Sequence, residues 1–138
     1  MAARVLVIDD EANICFVINE FLSSEGFEVI TAQNGKDGLE VLEKIPLPDL
    51  IIMDLLMPGL SGKEVALRLR SDPCTKGIPI LIMTASLPNN ELLPPDSFYD
   101  ALILKPYSLE DLLAAVLKLL SESGGQSLPH NLTDEIHN

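Results

Sequence analysis

Basic residues are scarce in this chain: Lys and Arg number 9 against 21 Asp and Glu among 138 residues, a formal net charge of -12. That balance excludes the broad cationic surface with which a nucleic-acid binder displaces counterions from phosphates. Cysteine is scarce as well. Cys15 and Cys74 are the only two, in no CxxC pair and beside no histidine cluster. A chain of this length needs no disulfide to fold, so both read as neutral thiols of a cytosolic protein. No apolar run approaches the roughly 20 residues that span a bilayer. The opening MAARVLVIDDE lacks the h-region and cleavage site of a secretory signal. These shortages lead us to expect a cytoplasmic protein with no direct hold on nucleic acid or membrane.

What is present suits one domain with an ample core, since 47% of the residues are hydrophobic. Arg4 to Ile8 is a short β-branched run stopped by Asp9 and Asp10, the pattern of a fully buried strand. Ile14, Val17, Ile18, Phe21 and Leu22 recur at helical spacing, and Glu25 with Gly26 closes that helix. Residues 27–31 read as a second strand, and Asn34 as the N-cap of a helix carrying Leu39, Val41 and Leu42. A third strand covers residues 50–53 and ends at Asp54; after Met57, Pro58 and Gly59 a helix carries Val65, Ala66 and Leu69. Residues 78–83 form a fourth strand ending at Thr84, and residues 101–104 a fifth ending at Lys105. Ser108 and Asp111 cap a last helix whose apolar face is Leu109, Leu112, Leu113, Val116, Leu117 and Leu120.

Alternating β and α with short continuous apolar strands predicts an α/β doubly wound fold: a parallel sheet with helices on both faces. The domain spans residues 1–120, and 121–138 read as a polar tail or the start of a linker. One stretch breaks the rhythm. Pro88, Pro94 and Pro95 leave room for only about one or two helical turns around residues 90–93.

Ligands of such sheets gather at the carboxyl ends of the strands, where Asp9, Asp10, Asp54, Thr84 and Lys105 all fall. Singly, each has a plainer explanation: a helix cap, a local hydrogen bond, a turn. Together they describe chemistry. Three carboxylates brought close repel one another unless a cation joins them, and oxygen ligands without His or Cys fit a hard ion such as Mg²⁺. A carboxylate can also serve as covalent nucleophile, with cation, ammonium and hydroxyl neutralising a transferring phosphoryl group. Asp54, alone at a central strand end, is the best nucleophile.

The segments VLVIDDE, DLIIMDLLMPGLSG, PILIMTAS and ALILKPYS resemble the signature segments of the bacterial two-component response-regulator receiver family, over roughly residues 4 to 120. The resemblance implies a five-stranded parallel sheet in the order 2-1-3-4-5. It also implies phosphoryl transfer from a histidine kinase or phosphotransfer protein onto Asp54. Asp9 and Asp10 match the metal-binding acid pair, joined by Asp54 and the backbone carbonyl of Leu56; Thr84 and Lys105 match the residues that contact the phosphoryl group. Pro106 matches the proline that in the family often follows a cis bond, and Tyr107 follows it on the output side. A monomer or weak homodimer is expected.

Two positions depart from the family pattern. Leu102 stands where many receivers carry the Tyr or Phe whose rotation couples to the threonine, and the neighbouring fourth-helix region is abbreviated. A phosphorylation-independent scaffold is therefore the rival reading. A hydrolase lacks a second placed acid or base. A dinucleotide binder lacks GxGxxG after the first strand, since Gly35-Lys36-Asp37-Gly38 does not supply it.

Overall fold

The computed structural model describes residues 2–85 and 93–122 of the chain. Its elements run β1 (Arg4–Ile8), α1 (Ala12–Ser24), β2 (Glu28–Ala32), α2 (Gly35–Leu42), β3 (Leu50–Asp54), α3 (Gly62–Ser71), β4 (Ile80–Thr84), a 3-10 turn (Asp96–Phe98), β5 (Ala101–Leu104) and α4 (Leu109–Glu122). The five strands are parallel, in the order β2-β1-β3-β4-β5. The doubly wound sheet expected from the sequence is the one observed.

Strand side chains alternate between faces, so each central strand feeds two cores. Val5, Val7, Leu50, Ile52, Leu81 and Met83 pack under α1 and α4 with Cys15, Ile18, Leu112 and Val116. Leu6, Ile8, Ile51, Met53, Ile80 and Ile82 pack under α2 and α3 with Val65, Ala66 and Leu69. Burial on both faces explains why β3 and β4 are apolar up to their last residues, Asp54 and Thr84, with every residue buried.

Helix starts follow their caps. Asn34 accepts from the Asp37 N–H at 2.7 Å. Ser61 and Glu64 form a reciprocal capping box on α3, and Ser108 Oγ accepts from the Asp111 N–H at 3.0 Å.

Several expectations shift. Val17, placed on the apolar face of α1, is 46% exposed; the buried stripe runs through Cys15, Ile18 and Leu22 instead. The second strand begins at Glu28, because the Phe27 N–H is spent on Leu22 O, closing α1. The fourth begins at Ile80, because Pro79 has no N–H for the ladder, though its carbonyl accepts from Ile51. Most of the expected short helix at 90–93 lies outside the described residues. Within them, the helical turn between β4 and β5 is the 3-10 turn that follows Pro94 and Pro95.

Candidate functional site

The carboxyl ends of β1, β3 and β5 bring Asp9, Asp10, Asp54 and Lys105 together. One carboxylate oxygen from each aspartate lies within 4.8 Å of the other two. Lys105 Nζ stands 3.6 Å from Asp9 Oδ2 and 3.8 Å from Asp54 Oδ2. Thr84 ends β4 one residue beyond Met83, the register partner of Asp54, and is buried. Every residue that the sequence singled out for chemistry therefore lies along one edge of the sheet.

Local backbone contacts fix each group. The Asp9 N–H donates to Ala32 O on β2, and Asp9 Oδ1 accepts from the Glu11 N–H at 2.9 Å. Below it, the Cys15 thiol donates to Asp9 O at 3.4 Å. Behind Asp54, the Leu55 N–H donates to Met83 O and the Gly62 N–H to Leu55 O. A Cβ on Gly62 would lie 2.7 Å from Asp54 O, so only glycine lets α3 start this close to the strand end. Gly59, at φ 79, makes the turn between them. The Lys105 N–H donates to Thr84 O at 2.8 Å, and the Lys105–Pro106 bond is cis.

The electrostatics are those of an acidic cluster in which Asp9 and Asp54 are buried and Asp10 is exposed. Burial lifts Asp54 to about 6; Lys105 opposes the rise, Asp9 and Asp10 add to it, and the Leu56 N–H lowers it. Burial also raises Asp9 against the pull of the Glu11 N–H and of Lys105. Asp9 Oδ2 is buried without a hydrogen-bond partner. An orphaned carboxylate oxygen beside two more, one of them on exposed Asp10, is the donor set that a hard, water-retaining cation accepts. The residues present thus fit Mg²⁺.

Beside the site, Leu56, two residues after Asp54, is 54% exposed. Leu102 packs, half-buried, against the core under α2 and α3. Two connections escaped the sequence. The Tyr107 hydroxyl donates to Met83 Sδ at 3.1 Å, and Arg70 joins α3 to Asp100 at 2.7 Å. Each spans more than twenty residues, and no local pattern signals it.

Comparison with known proteins places this geometry. Residues 5–117 match the family described as "Response regulator receiver domain". The phosphate regulon transcriptional regulatory protein PhoB of Rhizobium meliloti is 36% identical over 121 residues, 87% of this chain and 53% of that protein. The DNA-binding response regulator MtrA of Mycobacterium tuberculosis is 33% identical over 117 residues, 84% of this chain and 50% of that protein. The chain thus spans about half the length of these relatives. Chemotaxis response regulator CheY4 of Vibrio cholerae superposes with a TM-score of 0.80 at 29% identity, covering 87% of this chain and 100% of that one. Response regulator protein TrrA of Thermotoga maritima, solved in complex with Mg(2+)-BeF, superposes at 0.74 with 36% identity, over 86% of this chain and 99% of that one. Receiver domains are phosphoacceptors in two-component signalling, interact with histidine kinases or phosphotransfer proteins, and bind Mg²⁺ at an acidic pocket. With the site, the sheet order and the motif segments in agreement, the chain belongs to the response regulator receiver domain family.

Proposed function

We propose that this chain accepts a phosphoryl group on Asp54 from a histidine kinase or phosphotransfer protein, with Mg²⁺ held by Asp9, Asp10, Asp54 and the backbone carbonyl of Leu56. The observation that carries this reading is the meeting of three carboxylates, one with an orphaned buried oxygen, beside the Lys105 ammonium. Bound Mg²⁺ supplies charge neutralisation at the phosphoryl oxygens.

The chain's own residues do the rest. An Asp54 carboxylate oxygen forms the new P–O bond as the P–N bond of the donor phosphohistidine breaks. The imidazole leaves with the electron pair. Lys105 offers a point charge to the transferred group and Thr84 a hydroxyl. Exposed Leu56, two residues beyond Asp54, leaves an apolar group at the opening that a donor protein can cover. Phosphoryl loss is attack by water on phosphorus with cleavage of the same P–O bond. Leu56, apolar at the rim, slows it. Output passes through a protein partner, since the net charge of -12 disfavours direct contact with nucleic acid. We place the protein in the cytoplasm as a monomer or weak homodimer; among the described residues no helix is long and apolar enough to cross a membrane.

Leu102 supports a second reading, a receiver scaffold that binds its partner regardless of phosphorylation, because an aliphatic side chain offers no ring to rotate. Intact-mass analysis after incubation with acetyl phosphate and Mg²⁺ separates the two. A gain of one phosphoryl group, lost in Asp54→Ala and without metal, is the expected result. No adduct, with Mg²⁺ and beryllofluoride binding also absent, sinks the phosphoacceptor reading.

A further inference from the structure

Lys105 reaches the acidic cluster from an insecure base. It follows β5, an edge strand that among the described residues pairs only with β4 and whose last residue, Leu104, is exposed. Among the described residues the Lys105 backbone is held by its N–H donating to Thr84 O, and its side chain is a flexible four-carbon stem. Yet the ammonium stands within 4 Å of two carboxylates. A second fastening lies just beyond Pro106. Tyr107 turns its ring into the core under α1 and α4 and sets its hydroxyl on Met83 Sδ at 3.1 Å. Met83 is fully buried in β4 and is the register partner of Asp54. A half-buried phenol hydroxyl takes a partner where one exists, and here that partner is a thioether on the strand beside Asp54.

We propose that Tyr107 is a positioning residue for Lys105: its hydrogen bond to Met83 pins the loop that delivers the Lys105 ammonium to Asp9 and Asp54. This is not a relocated aromatic switch. Tyr107 packs on the α1–α4 face, whereas Leu102 packs on the opposite one. Burial, reinforced by Asp9 and Asp54, pushes the phenol up to about 12, so it remains a hydrogen-bond donor at physiological pH. The effect of the pin on phosphorylation rests on the phosphoacceptor reading; the placement of Lys105 does not.

The test therefore reads the lysine first. The full chain is treated with limiting acetic anhydride, and acetylation of Lys105 is measured by peptide mass against Lys36 and Lys118, which are exposed in the same molecule. In the wild type Lys105 lags behind them. In Tyr107→Phe, which keeps the ring, its relative reactivity should rise about 3- to 10-fold, the range that one neutral hydrogen bond supports. Met83→Leu, of similar volume, should reproduce that rise, and the double variant should add nothing. Labelling by acetyl phosphate should slow by the same factor in all three. An unchanged Lys105 in Tyr107→Phe overturns the proposal, as does a Met83→Leu variant that behaves like wild type, or an equal rise at all three lysines. A wild type that gains no phosphoryl group and binds neither Mg²⁺ nor beryllofluoride would instead sink the phosphoacceptor reading and leave the lysine measurement to decide this one.

Discussion

The centre of the sheet and its two edges are made of similar residues put to different use. β3 is buried along its whole length, whereas β2 and β5 are each partly exposed. Asp54 sits at the end of the strand that packing holds on both faces, and the same packing desolvates it and lifts its pKa. The cation arrives from an edge, on a long side chain that has to be fastened. At the amino ends of the edges, two arginines close the sheet: Arg4 onto Glu28 beside β2, and Arg70 onto Asp100 beside β5. The fold thus spends apolar burial where position must be exact and ion pairs where the sheet merely stops.

The largest expected effect is a matched truncation across that divide. Ile52→Ala removes a fully buried side chain from β3 and should cost about 2–5 kcal/mol in denaturant unfolding. Ile103→Ala, on half-buried β5, should cost only about 1–2 kcal/mol, since less apolar area leaves water. Equal losses would mean that the edge is packed as rigidly as the centre.

Next is the cost of burying Asp54 itself. In metal-free protein the folded Asp54 carboxyl titrates at about 6, against about 3.9 unfolded. Between these values the folded state binds the extra proton, so unfolding free energy falls as pH rises. This contribution to stability is fully present below about pH 4 and is lost as pH climbs through about 6, on the order of 3 kcal/mol. Asp9, also raised, acts in the same direction. Asp54→Asn should therefore be more stable than wild type at pH 7.5 without metal, and lose that advantage at pH 4. Saturating Mg²⁺ should reverse the order, because the ion stabilises only the protein that holds all three carboxylates. Melting curves at the two pH values, with and without Mg²⁺, check this. An Asn variant no more stable than wild type in metal-free buffer at pH 7.5 would show that the centre bears no such cost.

The same divide governs how far the sequence could be read. Buried strands announce themselves as unbroken apolar runs, so β1, β3 and β4 and the residues at their ends were legible, and with them the convergence of Asp9, Asp10 and Asp54. Caps were legible where one side chain suffices, as at Asn34 and Ser108. Boundaries failed where a neighbouring element claimed a backbone group: Phe27 belongs by its N–H to the end of α1. Val17 failed because helical spacing alone does not say which flank of an apolar stripe is covered. The fastenings of the β5 side were invisible, since Met83 and Tyr107, or Arg70 and Asp100, meet only after the sheet is assembled.

The two arginine clasps give the smallest effects and the finest test. Arg70 is mostly covered: its guanidinium donates to Ile78 O at 2.7 Å and to Asp100 Oδ2, which also accepts from the Ile80 N–H at 2.8 Å. Arg70→Ala strands a buried carbonyl as well as breaking the pair, and should cost about 1–3 kcal/mol. Much of that should survive high salt, because the carbonyl contact is not an ion pair. The Arg4–Glu28 contact, at 3.0 Å, lies in the open, with half the Glu28 side chain exposed. Arg4→Gln should cost no more than about 0.5–1 kcal/mol, and less still in 1 M salt, where screening shortens to about 3 Å. Both sites lie at the amino end of the sheet, so neither change should alter acetyl phosphate labelling of Asp54 in protein that remains folded. If Arg70→Ala slowed labelling at full folding, the β5 edge would be carrying strain from its amino end to Lys105, and the division between a chemical and a structural end of the sheet would fail on that side alone.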